Sequence, residues 1–216
     1  MDTDWNILGP AGLAFFSKIT ATTTHELNNA IGIINEQAGL LGDLGSLAKQ
    51  DKSLDIDRWI NISKKITCQV NRAHATIKNL NKFAHSTDNI DSLSNVDDLL
   101  SLLIVLSTRI LSEKNVIVNL VPISKPVKLN FMRFCFLNLM GLCLIFARDN
   151  VDENKTITIK SQQKNGKLEI LFSGLNIKND QCFFTIVEEK ILKALKAKSI
   201  FPTDNTNFII LIDVCK

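Results

Sequence analysis

Residues 21–41 read ATTTHELNNAIGIINEQAGLL. Within them Thr23, Leu27, Ala30, Ile31, Ile34, Ala38 and Leu41 return every three or four residues, the step that lines one face of an α-helix. The stripe reaches back to Phe16 and on to Leu44 and Ala48, about nine helical turns. Pro10 suits the first turn of such a helix, where a missing N–H costs little. The polar run KQDKSLDID (49–57) then interrupts the pattern. A second stripe follows at Trp59, Ser63, Ile66, Val70, Ala73, Ile77, Leu80 and Ala84, alternating steps of four and three as a coiled-coil seam does. HSTDNIDS (85–92) ends it. Two long helices joined by a short loop predict an antiparallel hairpin. A lone hairpin leaves apolar surface in water. Because each large side chain buried contributes ~1.5–3 kcal/mol, pairing with a second copy into a dimeric four-helix bundle is the expected remedy.

Beyond residue 95 the grammar changes. NVDDLLSLLIVLSTRILSEKN opens on Asn95, a good helix cap, and runs as a helix. VIVNLV (116–121) is rich in β-branched residues and reads as a strand, and 129–149 as a very apolar helix. KTITIKSQQKNGKLEILFSG has two alternating runs around KNGK, the pattern of a β-hairpin. A further helix is predicted over 183–197 and a buried strand over 207–214. Helices over a small, mostly antiparallel sheet make an α+β sandwich. The sequence thus divides into a helical hairpin domain, 10–90, and an α/β sandwich domain, 95–216.

An apolar share of 45% with 22% charged residues suits a globular chain with a real core. A formal charge of +3 without a dense Lys/Arg cluster argues against nucleic acid as a partner. The five cysteines are scattered and form no C-x-x-C pair, so they read as reduced, mostly buried thiols, with no metal site implied. MDTDWNILGP lacks the basic-then-apolar order of a signal peptide. The most apolar segment, FMRFCFLNLMGLCLIFA (131–147), is interrupted by Arg133 and Asn138, which suits a core helix better than a membrane span. The expected location is the cytoplasm.

On the first helix His25 lies two residues, about 200°, from Leu27 and so faces away from the apolar stripe. Asn28, Asn29 and Gly32 share its side, three, four and seven positions on, leaving room for another protein to approach the imidazole. A neutral, solvent-facing imidazole is a competent nucleophile. Glu26 is placed to accept a hydrogen bond from the second ring nitrogen, and Asn29 to orient a phosphoryl oxygen or a water. A solvated helix face is the alternative reading of the same residues. His74 and His85 read as a packing or surface residue and a helix-end charge.

THELNNAIGIINEQAGLL resembles the H-box of two-component sensor histidine kinases, roughly H-E-x-x-N-P-L, and the likeness continues through VNRAHATIKNLNKFAHS in the second helix. The resemblance implies a phosphorylated His25, an adjacent acid/base residue in Glu26 and, in Asn29, a residue that balances kinase and phosphatase activity. Ala30 replaces the family's proline. RFCFLNLMGLCLIFA is similar to the family's asparagine box, but only Asn138 matches, and the metal-binding asparagine falls on Leu142. Where D-x-G-x-G should follow a strand, Gly174 takes the place of the adenine-reading aspartate, followed by Leu175 and Asn176. No later G-x-G-x-G loop occurs. ATP binding needs an adenine acceptor, a metal-ligating oxygen and a phosphate cradle, so these losses imply a degenerate ATP domain. The expectation is a homodimeric histidine phosphotransferase. It would exchange phosphoryl groups with response-regulator receiver domains through His25, with Mg²⁺ supplied by the receiver and no cofactor or ATP of its own. A divergent kinase that still binds ATP, and a pseudo-kinase interaction module without chemistry, are the alternatives.

Overall fold

The computed structural model describes residues 5–49, 55–88, 93–121, 127–130, 132–178 and 186–213. Helix α1 spans Trp5–Ala48 and α2 spans Ile56–Ala84. Asp55 caps α2 by accepting the Arg58 N–H at 2.9 Å, satisfying one of the free donors of its first turn. Helix α1 begins earlier than its sequence signal suggests: Pro10 lies in the second turn, not the first. The chain forms two compact units, one of residues 20–82 and one of residues 1–19 with 83–216.

In the first unit Thr23, Ala30, Gln37 and Leu44 of α1 and Ile62 of α2 are buried. On α2 the side turned inward runs through Ile62, Ile66, Gln69, Ala73 and Thr76. The expected seam divides between two sides of the helix. Ile66 and Ala73 do face inward, but Trp59, Val70 and Ile77 are 43%, 49% and 45% exposed, and Ser63 and Ala84 are exposed too. The helix is apolar over more than one face, so its periodicity alone did not choose between the faces. Among the described residues, Gln37 and Gln69 each leave a buried Oε1 without a hydrogen-bond partner.

The second unit is an α+β sandwich. A single 3-10 turn at His85–Thr87 follows α2, held by the Asp88 carboxylate on His85 Nδ1 at 2.5 Å. Strand β1 (Leu93–Asn95) leads into α3 (Val96–Leu106), where the Asn95 side chain accepts the Asp97 N–H at 3.1 Å, as its capping signal predicted. Ser107 breaks the expected long helix, and α4 (Thr108–Ser112) is a separate short turn. Strands β2 (Ile117–Val121) and β3 (Lys128–Asn130) come next, then α5 (Arg133–Asp149). The hairpin strands β4 (Thr156–Lys164) and β5 (Lys167–Ser173) turn at Asn165 and Gly166, both with positive φ, as a tight type I′ turn requires. After α6 (Ile186–Ala194), β6 (Ala197–Ile200) and β7 (Asn207–Asp213) complete the sheet. Strand β6 takes only Ala197, the last residue of the stretch expected to be helical, and residues 183–185 of that stretch lie outside the described ones.

The five strands lie in the order β2-β4-β5-β7-β6, with β2 parallel to β4 and the other pairs antiparallel. A separate β1–β3 ribbon, which the sequence pattern did not reveal, is antiparallel. One face of the sheet, through Ile157, Ile159, Ile170, Phe172, Phe208 and Ile210, is wholly buried. Helix α5 is buried on most of its circumference, as its all-round apolar sequence requires. It also receives the start of α1. Phe15 lies against Gly141 so closely that a Cβ there would come within 2.2 Å of the ring. Phe83, fully buried, makes ring contacts with Phe15, Phe16 and Phe134 at centroid distances of 5.9, 5.6 and 6.1 Å.

Candidate functional site

Helix α1 carries His25 on the side away from the buried line Thr23–Ala30–Gln37–Leu44, and the imidazole is exposed. Asn28, Asn29 and Gly32 are exposed as expected, while Glu26 is half-buried. Adjacent helical residues point about 100° apart, so Glu26 leans toward the hairpin interior while His25 faces outward. The polar contact that defines the site joins His25 to Asn29, one turn on: Asn29 Nδ2 lies 3.1 Å from His25 Nδ1. The pair has two complementary forms: Nδ2 donates to an unprotonated Nδ1, or the amide turned by 180° accepts from Nδ1–H through Oδ1.

A Cβ added to Gly32 would meet nothing within 4 Å, and the same holds for Gly39, one heptad further along. Both lie within about 40° of the His25 direction. Sequence reasoning found Gly32 and missed Gly39. It also missed a cleft of about 570 Å³ lined by Glu36 and Leu40 of α1 and by Arg58, Asn61 and Lys65 of α2. Glu36 is eleven residues after His25, about three turns along the same face. That interval was legible as a signal; the α2 residues were not, because their side of the cleft depends on how the helices pair.

The family's nucleotide-reading positions lie in the sandwich unit. Asn138 is 1% exposed and turns back to donate to the Phe134 carbonyl at 2.7 Å; its Oδ1 is buried without a partner among the described residues. Leu142, where the second asparagine would stand, offers no oxygen. Gly174 has φ +85°, and a Cβ there would come within 2.2 Å of the Thr156 carbonyl oxygen, so an aspartate does not fit this backbone. Phe146, one turn beyond Leu142, packs on Phe208 at 5.8 Å, and Phe208 stacks on Phe172 at 4.7 Å and on Phe201 at 5.6 Å. The residues present therefore do not fit ATP held in the family's manner. Among the described residues no cluster of three or more His, Cys, Asp or Glu side chains is arranged to hold a metal, and no helix is long and apolar enough to cross a membrane.

A helical hairpin followed by a two-layer sandwich with a mixed sheet can be compared directly with solved structures. The histidine kinase AdeS of Acinetobacter baumannii superposes with a TM-score of 0.50 at 14% identity, covering 89% of this chain and 98% of that one. This is a sensor-histidine-kinase-like fold. Two further kinase structures align over most of the chain. The blue-light activated histidine kinase EL346 of Erythrobacter litoralis has 15% identity, a TM-score of 0.49, and coverage of 92% of this chain and 63% of that one. Histidine kinase ThkA, solved in complex with response regulator protein TrrA, has 16% identity, a TM-score of 0.44, and coverage of 94% and 63%. No protein-family model matches the sequence, and no curated protein does. At these identities the likeness to kinases concerns the fold.

Proposed function

We propose that this chain is a two-component signalling protein that passes phosphoryl groups between response-regulator receiver domains through His25, without ATP. One combination of observations carries the reading. An exposed histidine bonded at Nδ1 stands on a kinase-like hairpin, while the matching nucleotide positions hold Leu142 and a glycine that tolerates no side chain. In the forward step the Nε2 lone pair of His25 attacks the phosphorus of a receiver's aspartyl phosphate. The N–P bond forms as the acyl P–O bond breaks, and the receiver recovers its carboxylate. Nδ1 keeps its proton, and the resulting positive charge is stabilised by the turned Asn29 amide and by Glu26. A second receiver's carboxylate reverses the step. Each receiver brings its own Mg²⁺.

Residues 10–90 serve in this reading as the dimerisation and phosphoacceptor part and 95–216 as a degenerate ATP-binding-like domain, in a cytoplasmic homodimer. On the wheel of the hairpin, Ile31, Trp59, Val70 and Ile77, all at least 43% exposed, fall on the side opposite the cleft, which suits a four-helix bundle with a second copy. The partner approaches past Asn28 and Gly32, and the cleft below His25 continues that surface.

The test is acid-labile labelling. Wild type and His25→Ala are mixed separately with ³²P-labelled receiver domains and with Mg²⁺ and labelled ATP. Label from a receiver, absent in the variant, is the expected result. Label from ATP would revive the divergent kinase, and silence in both across the host's receivers would leave an interaction module without chemistry.

A further inference from the structure

The outer face of the sheet carries an apolar patch that neither the hairpin chemistry nor the sandwich core uses. The strand register sets one row across it: Val121 beside Lys160, Lys160 beside Leu171, Leu171 beside Ile209, and Ile209 beside Ile200. In the next row Leu211 stands between Glu169 and Lys198. Ile200 is 44% and Val121 39% exposed, and Leu171, Ile209 and Leu211 are half-buried. Leu171, Ile209, Leu211 and Ile200 thus make one apolar area over three neighbouring strands. At ~4.8 Å per strand that width is about 10 Å, the diameter of one α-helix.

The charges around the patch select its occupant. Lys160 flanks it on β4 and Lys198 on β6, three strand spacings apart, and neither has an ion-pair partner among the described residues. Of the acids on the same face, Asp213 pairs with Lys167 at 3.4 Å; Glu169 accepts the neutral Gln162 amide at 2.6 Å and keeps its charge, against the two lysines Lys160 and Lys198. The row on the far side, Asn119, Thr158, Ser173 and Asn207, is uncharged. We propose that this face docks an acidic amphipathic helix of a partner protein, its apolar stripe on Leu171, Ile209, Leu211 and Ile200 and its flanking carboxylates on Lys160 and Lys198. The site is independent of phosphotransfer at His25.

The probe is a fluorescent designed helical peptide of about 18 residues with a leucine stripe flanked by glutamates, and a twin flanked by lysines. Fluorescence anisotropy with the full chain is expected to show the glutamate peptide binding at least ~10-fold tighter at low salt, with the gap narrowing at high salt. The pair Lys160→Glu and Lys198→Glu should invert that preference. Leu171→Thr with Ile209→Thr, which places strand-favouring β-branched residues on an outer face and is checked by circular dichroism, should abolish binding of both peptides. Equal binding of the twins, or none, would overturn the proposal. So would self-association that the threonine pair removes, which would assign the face to a second copy.

Discussion

In the proposed phosphotransfer Asn29 sets the tautomer of His25: an amide oxygen on Nδ1–H leaves the attacking lone pair on Nε2, and an amide nitrogen on Nδ1 does not. The two roles separate by substitution. Asn29→Asp offers acceptor oxygens alone, fixes Nδ1–H and should keep or raise the rate of phosphotransfer from a labelled receiver. Asn29→Leu has the same bulk but holds neither tautomer and should slow transfer by about 10²-fold, the lower end of what a positioned proton partner contributes. Stopped-flow or quench-flow labelling measures the rates, and ¹⁵N chemical shifts of the imidazole report the tautomer. Equal rates in the two variants would remove Asn29 from the mechanism. His25 itself is exposed, so its replacement should leave stability within about 0.5 kcal/mol while abolishing label.

At the scale of elements, α5 is the member most constrained by its neighbours. Gly141 is where Phe15 approaches, and a methyl group there would sit inside the ring's van der Waals boundary. Gly141→Ala gains helix propensity but must displace a buried aromatic, so a net loss of about 1–3 kcal/mol in chemical denaturation is expected. Phe15→Ala alone should cost about 3–5 kcal/mol. The double variant should lose less than the sum, because the alanine methyl fills space the ring vacates. At the C-terminal end of the same helix Asp149 is pushed upward by partial burial, but hydrogen bonds from Lys114 at 2.8 Å and Arg148 at 2.9 Å outweigh this and hold its carboxyl below the usual range. The folded state therefore favours the ionised form. Its contribution is complete above the ordinary carboxylate range and disappears as pH falls through the lowered value. Asp149→Asn should accordingly melt below wild type at neutral pH, by no more than about 1 kcal/mol because the group is 41% exposed, and the two melting curves should converge in acid.

At the scale of the whole molecule, the proposed dimer rests on the hairpin. Val70 and Ile77, 49% and 45% exposed and one heptad apart, lie centrally on the bare side of α2. Val70→Glu with Ile77→Glu should convert a dimer to monomer in sedimentation equilibrium while the sandwich retains its near-ultraviolet signal. If wild type sediments as a monomer at micromolar concentration, the bundle is excluded. The cleft at Arg58 and Lys65, on the other side of the hairpin, should be untouched by that change.

The sequence by itself determined what neighbours along the chain decide: two long helices, the Asn95 cap, the Asn165–Gly166 turn, the alternation of β4 and β5, and the outward direction of His25 with Asn28, Asn29 and Gly32. Each follows from a steric or hydrogen-bonding rule acting over a few residues, so the letters suffice. Only the tertiary structure decided which apolar line of α2 meets α1, since Trp59, Val70 and Ile77 satisfy the same periodicity as Ile62, Ile66 and Ala73. It alone showed the edge strand β6 and the β1–β3 ribbon, which are too short to carry a period: β6 exists through pairing with β7, and the ribbon joins strands distant in sequence. The Phe15–Gly141 approach and the Gly174–Thr156 backbone contact are likewise invisible in a string of residues, because a steric limit needs two surfaces and the chain brings the second from far away.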